Sequence, residues 1–369
     1  MTRAWPGAIL RSPAAQLFLT SFLGLYAELL CIRWMPAHVR FLSYFTNFIL
    51  LASFLGLGVG ILSARSRRKL PFGPRTFPLL LLIGAILIAA TRFELHIGSA
   101  GVLYYGAGEG GTAPPENALV LPAAFLLVSL LFVCIGRPLG ILLSEVRPPL
   151  RAYGFDIAGS LAGIATFFVL SWFEQPPTVW FAGLVLITFL LSGPRWLDRA
   201  VMIVPLLIAG GIAWNIGHAY EWSPYYKIGL TPTDNGHGYE LNVNESGHQA
   251  MLPGEEKEPF YRAPYDLFGS GQFQKVMIIG AGSGSDTAIG LKVGQVGHID
   301  AVEIDPVIAR LGRMFHPEQP FSDPRVTVHV DDGRSFLRKS TDKYDLIIFA
   351  LPDSLTLTSQ FASLRLESF

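Results

Sequence analysis

Lys275-Val-Met-Ile-Ile-Gly280-Ala-Gly282-Ser-Gly284-Ser-Asp286 decides the fold of the second half of this chain. Its first five residues are an apolar run of strand length, which passes without a spacer into alternating glycines and then into a helical stretch, 287–292. A buried strand, a glycine-rich turn and a helix make the first βα unit of a nucleotide-binding sheet: the glycines let backbone approach a ligand, and the helix start offers free amide donors. Gly280, Gly282 and Gly284 are therefore candidate cofactor-binding residues. A lone Gly-x-Gly-x-Gly says little in a chain with 38 glycines. Its flanks say more.

Downstream, His298-Ile-Asp-Ala-Val-Glu303-Ile-Asp305 reads as a second strand, and Glu303 follows Gly284 by 19 residues. At that spacing a carboxylate accepts hydrogen bonds from the two ribose hydroxyls of a bound nucleoside. A third strand, Arg325-Val-Thr-Val-His-Val, ends in Asp331-Asp332-Gly333, and a fourth, Tyr344-Asp-Leu-Ile-Ile-Phe, ends in Ala350-Leu-Pro-Asp353. Ligands of open α/β sheets bind at the carboxyl ends of the strands, so each strand delivers its polar residues to one rim. Asp331 and Asp332 have two readings, a ligand contact and a cap on the helical stretch 334–339.

Upstream the solvent changes. Of 369 residues, 51% are hydrophobic and only 15% charged, and the 15 Lys/Arg against 8 Asp/Glu up to Gly217 become 13 against 20 after it. Halves of about +7 and −7 fit two domains in different solvents. Seven apolar runs, near 14–34, 41–63, 77–91, 119–142, 152–172, 178–193 and 200–217, approach the length of about 20 residues that a bilayer core requires. A polytopic bundle of about seven helices in a lipid bilayer is expected over 1–217, with a Gly- and Pro-rich loop at 97–117. Lys and Arg place its N-terminus on the cytoplasmic side of the membrane, with 12 on the inner segments against Arg33, Arg40 and Arg92 outside. Seven spans would put the following domain outside, so its side stays open. Glu28 and Asp156, in or beside apolar helices, read either as a proton or cation site or as structural partners of Arg33 or a hydroxyl. The run 154–163, with Gly154, Gly159 and Gly163, suits close helix packing.

Several chemistries are disfavoured. Cys31 and Cys134 lie in apolar runs, so neither a disulfide framework nor a paired-cysteine metal motif is present, and the histidines lack metal-ligand spacing. No Gly-x-Ser-x-Gly elbow occurs. The acidic second half argues against nucleic acid and suits a cationic small-molecule substrate. Homo-oligomer formation is left open.

Jointly and in order, Ser223-Pro-Tyr-Tyr-Lys-Ile, Leu241-Asn-Val-Asn with Gln249, Tyr261, the glycine loop, Val302-Glu-Ile-Asp305, Asp323-Pro-Arg-Val, Asp331-Asp-Gly and Tyr344-Asp-Leu-Ile-Ile resemble the spermidine synthase (polyamine aminopropyltransferase) family, in its membrane-fused bacterial form. The resemblance implies a small β region over 218–272 and a Rossmann-like sheet of the S-adenosylmethionine-dependent methyltransferase type over 273–369. It implies a ligand that is decarboxylated S-adenosylmethionine, S-adenosylmethionine or methylthioadenosine, and no metal. By position, Glu303 would hold the ribose, Asp332 the adenine amino group, and the glycines the sulfonium end, while Gln249 and Tyr261 would line the approach of the amine. About three more strands would be expected after residue 349, although only about 20 residues follow, so the domain reads as incomplete.

Departures from that pattern bear on chemistry. Ser283 stands where the family usually has an acid, Tyr226 where it has Gln, and Ala350 where an Asp holds and deprotonates the attacking amine. Asp353 matches the second acid of that loop and is the remaining candidate catalytic carboxylate. The expectation is a membrane-anchored transferase moving an aminopropyl or methyl group to an unknown acceptor. The alternatives are a catalytically degenerate nucleotide-binding sensor or scaffold, favoured by Ala350 and Ser283, and a transporter-like bundle regulated by the domain.

Overall fold

A computed structural model describes residue 5, residues 12–39, residue 42 and residues 47–64, 73–91 and 117–350. The chain divides into two compact units, Met1–Ala219 and Tyr220–Phe369.

Seven helices make up the described part of the first unit: α1 (Pro13–Trp34), α2 (Phe48–Ser63), α3 (Phe77–Thr91), α4 (Asn117–Glu145), α5 (Pro149–Trp172), α6 (Pro177–Leu191) and α7 (Trp196–Gly217). Proline opens α1, α5 and α6, where its missing N–H costs nothing, and the Ser12 hydroxyl caps α1 by accepting from Ala15 N. Four helices, α1, α4, α5 and α7, are long and apolar enough to cross a bilayer; α2, α3 and α6 are shorter. The run expected over 41–63 is thus helical, among described residues, only from Phe48. The loop expected at 97–117 falls outside the described residues apart from Asn117, which begins α4.

Small residues set the helix spacing. A Cβ on Gly159 would overlap the Phe18 carbonyl oxygen, and one on Gly163 would lie 2.6 Å from that of Phe22, so α5 rests on the backbone of α1. Gly56 and Gly60 do the same for α2 against α4, where a Cβ on Gly60 would meet Arg137 N and Val133 O at 2.8 Å. That second pair was not singled out in the sequence, since its glycines lie in an apolar run with no polar neighbours.

The described residues of the second unit form two four-stranded sheets. β1 (Glu221–Trp222), β2 (Lys227–Pro232), β3 (Tyr239–Val243) and β4 (Ser246–Met251) form an antiparallel meander in sequence order. After α8 (Ala263–Phe268), a parallel sheet alternates with helices: β5 (Lys275–Ile279), α9 (Ser285–Lys292), β6 (His298–Glu303), α10 (Pro306–Phe315), β7 (Val326–Val330), α11 (Gly333–Lys339) and β8 (Leu346–Phe349). Its order is β7-β6-β5-β8, so the chain reverses direction across the sheet at β5, which places a ligand crevice at the carboxyl end of β5. Val276, Ile278, Ile299 and Ala301 are fully buried, as expected of parallel strands covered on both faces. Ile228, Leu241, Val243 and Met251 of the meander share a core with Val307, Ile308 and Leu311 of α10, which fixes the small sheet against that helix.

Candidate functional site

The turn between β5 and α9 is left-handed at each of its three glycines, with φ of 76° at Gly280, 58° at Gly282 and 105° at Gly284. Side chains rarely adopt that region, which is why glycine recurs there. Gly280 N and Ala281 N both donate to Val302 O, at 2.9 and 3.0 Å, tying the turn to the end of β6.

Glu303 closes β6 and is 6% exposed. Its Oε2 accepts from Gly282 N at 2.7 Å and its Oε1 from Asp305 N at 2.9 Å, so one backbone amide fixes each oxygen and a lone pair on each remains. Burial pushes this carboxyl above its ordinary range, against the downward pull of those amides. The glycine loop and Glu303 are therefore one constellation, as the 19-residue spacing implied.

Gln249 reaches the same loop from β4. Its Oε1 accepts from Ser283 N and Ser283 Oγ, both at 3.1 Å, and its Nε2 is buried with no hydrogen-bond partner among described residues. A Cβ on Gly282 would stand 2.5 Å from Gln249 Oε1, so glycine at 282 is what admits this amide. Ser283, where the resembling family has an acid, spends both its amide and its hydroxyl on Gln249.

The two aspartates after β7 divide their labour. Asp332 caps α11, its Oδ1 accepting from Ser335 N at 2.9 Å, which is the capping alternative realised. Asp331 accepts from Lys339 Nζ at 2.9 Å, and this hydrogen bond holds its carboxyl below the ordinary range. Tyr261 lies in a short 3-10 turn, stacked on Phe260 with the Lys257 ammonium 4.6 Å above its ring. Ala350 is half-buried, its N–H donating to Ile279 O at 3.0 Å at the carboxyl end of β5, and it packs against the core of the parallel sheet. Asp353 lies outside the described residues.

Tyr225 and Tyr226 entered the sequence reading only as the place where the resembling family has Tyr-Gln. Burial first, then the negative charges of Asp305 and Glu303, with Asp332 acting on Tyr225, push both phenols up, so the pair stands near the acids of the rim. Only their place inside Ser223-Pro-Tyr-Tyr-Lys-Ile hinted at this. Among the described residues no cluster of three or more His, Cys, Asp or Glu is arranged to hold a metal.

Residues 265–369 match the spermine/spermidine synthase domain model. A polyamine aminopropyltransferase from Agathobacter rectalis is 39% identical over 84 residues, 22% of this chain and 30% of that protein. One from Alkaliphilus metalliredigens is 33% identical over 82 residues, 22% of this chain and 29% of its own. The chain thus spans under a third of the length of these curated relatives. The crystal structure of spermidine synthase from Thermotoga maritima aligns with 34% of this chain and 44% of its own at 22% identity, with a TM-score of 0.29, too low to carry an argument. On the family model and the curated relatives, the segment from residue 265 onward is spermidine synthase-like.

Proposed function

We propose that the second unit binds an adenosyl sulfonium co-substrate, decarboxylated S-adenosylmethionine foremost, and transfers its aminopropyl group to a small amine, while the first unit anchors the chain in the plasma membrane. The observation that carries the ligand reading is Glu303, a buried carboxylate oriented by one amide per oxygen at the glycine loop. Such a group is ready for the two ribose hydroxyls without rearrangement. The unpartnered Gln249 Nε2 beside the loop is a donor waiting for an acceptor. Bound there, the sulfonium would supply an electrophilic carbon next to sulfur.

What this chain's residues do is hold and deprotonate. Glu303 and the loop fix the nucleoside, and positioning alone lowers the barrier substantially. A carboxylate takes the amine proton as the carbon–nitrogen bond forms and the carbon–sulfur bond breaks, releasing the thioether. Asp353 is our assignment for it, because Ala350 has no basic group. Methyl transfer from S-adenosylmethionine would use the same nucleoside contacts.

For the anchor, support comes from side chains that only an apolar solvent would favour outside. Phe54, Leu62, Leu161, Phe168, Trp172 and Leu207 are each more than half exposed on α2, α5 and α7. Acyl chains would cover them.

The test of the ligand reading is calorimetric titration of the whole chain with methylthioadenosine. Glu303→Ala removes two charge-assisted hydrogen bonds and should weaken binding by about 2 to 4 kcal/mol. An affinity unchanged by this substitution sinks the assignment.

A further inference from the structure

Glu28 sits in the middle of α1 and is 2% exposed. Its Oε1 accepts from Ser53 Oγ of α2 at 2.6 Å, while its Oε2 is buried with no hydrogen-bond partner among the described residues. Arg33, five positions further along α1, stands over the Trp180 ring at 4.9 Å, and no ion pair to Glu28 is found among the described residues. Of the two structural partners weighed in the sequence, only the hydroxyl is realised.

A second orphan oxygen lies on α4, the helix packed against α2. Ser129 Oγ of α4 is buried and also unpartnered. Its backbone carbonyl lies against Gly56, one helical turn beyond Ser53 on α2. Glu28 and Ser53 thus bring a carboxylate and a hydroxyl together between α1 and α2, and the buried Ser129 hydroxyl lies on the helix packed against the next turn of α2. An ionised Glu28 would leave a bare anionic oxygen there, and a neutral one would carry an O–H without an acceptor. A proton on Oε2 removes the charge, and a small alkali ion there removes both difficulties.

We infer that Glu28, with Ser53 and Ser129, is a binding site for a small monovalent cation, a proton or an alkali ion in its place. This does not depend on the transferase reading of the second unit. Titratable neighbours are few. α2 and α6 carry none, α4 carries Cys134, Arg137 and Glu145, and α5 carries Arg151, Tyr153 and Asp156. On α1 itself, Cys31 follows Glu28 by three residues. Asp156 accepts from Ser21 Oγ of α1 at 2.6 Å, two turns from Glu28, so it has its own hydroxyl partner.

The experiment is difference infrared spectroscopy on the whole chain in lipid nanodiscs, with the pH raised in choline chloride or with sodium chloride added at fixed pH. The site predicts a protonated-carboxyl band that disappears in wild type and in Asp156→Asn and is missing in Glu28→Gln. Loss on raising the pH alone identifies the proton as the occupant, whereas loss on adding sodium at fixed pH identifies the alkali ion. Ser53→Ala, which keeps the carboxyl should Glu28→Gln fail to fold, should shift the midpoint about tenfold in proton or sodium concentration. A Glu28 band indifferent to both pH and sodium would show a permanently neutral structural acid and overturn the inference, as would a band that Ser53→Ala leaves unmoved.

Discussion

Glutamate is buried almost equally in the two units, 2% exposed at Glu28 and 6% at Glu303, yet the two are held by different means. In the helical unit the backbone is already spent on i to i−4 bonds, so only a side chain, Ser53, can answer the carboxylate, and it answers one oxygen. At the end of β6 the strand has stopped and the glycine turn has free amides, so backbone answers both oxygens of Glu303. A carboxylate held by main chain keeps its orientation whether or not a ligand is present. One held by a serine rotamer stays adjustable.

The same contrast runs along the rim of the parallel sheet, where β6 ends in Glu303 and β8 is followed by Ala350. The largest expected effect comes from restoring an acid at that second position. General-base assistance is commonly worth about 100- to 10,000-fold, so Ala350→Asp should raise aminopropyl transfer from decarboxylated S-adenosylmethionine to putrescine by that order, and Asp353→Ala should lower the residual rate. An initial-rate assay of the three chains decides it. Wild-type turnover near about 10 per second, undiminished in Asp353→Ala, would show that neither acid is needed and that the reading of this loop is wrong.

Charge burial in the second unit also has a pH signature. Burial pushes His316 down to about 4 from 6.5 and Asp286 up to about 6 from 3.8. The folded state refuses a proton at His316 that the unfolded chain accepts, so this residue stabilises fully above pH 6.5 and the contribution is lost as pH falls through about 4. Asp286 works the other way: its contribution is fully present below pH 3.8 and is lost as pH rises through about 6. Each amounts to roughly 3 kcal/mol, and over the shared window they oppose each other. Denaturant unfolding of the second unit should therefore change little between about pH 4 and about pH 6. His316→Gln should make stability fall with rising pH there and Asp286→Asn should make it rise; two flat profiles would remove both residues from the account.

Much of this was legible in the sequence because two periodicities are strong. The alternation of strand, turn and helix from Lys275 gave the parallel sheet, the glycine loop and the partnership with Glu303, since chain length between consecutive strands fixes where their ends meet. The apolar runs and the Gly159 and Gly163 pair gave the helices of the first unit and one of its close packings. What was not legible depended on contacts between elements far apart in sequence. The Gln249 amide meets Ser283 across 34 residues, and Tyr225 and Tyr226 near Glu303 obey no local spacing. Asp332 shows the converse, because a cap and a ligand contact use the same residue type at the same place, and only the observed bond to Ser335 N reveals the cap.

The smallest expected effect separates the two uses of glycine. Gly159 has ordinary helical backbone, and an added Cβ would strike the Phe18 carbonyl, a main-chain atom that moves only with its helix. Gly282 has φ +58°, and its added Cβ would strike the end of the Gln249 side chain, which can turn aside. Gly159→Ala should therefore destabilise the first unit by about 1 to 3 kcal/mol, as overpacking does, and leave methylthioadenosine affinity unchanged. Gly282→Ala should cost about 1 to 2 kcal/mol of stability for its left-handed backbone, and should also weaken the nucleoside about tenfold as Gln249 is displaced and the Gly282 amide tilts off Glu303. Thermal unfolding and calorimetric titration on the same two preparations read both quantities. If Gly159→Ala lowered ligand affinity as much as Gly282→Ala, glycine would not divide into a packing role in one unit and a ligand role in the other, and the contrast between the units would fail at its simplest residue.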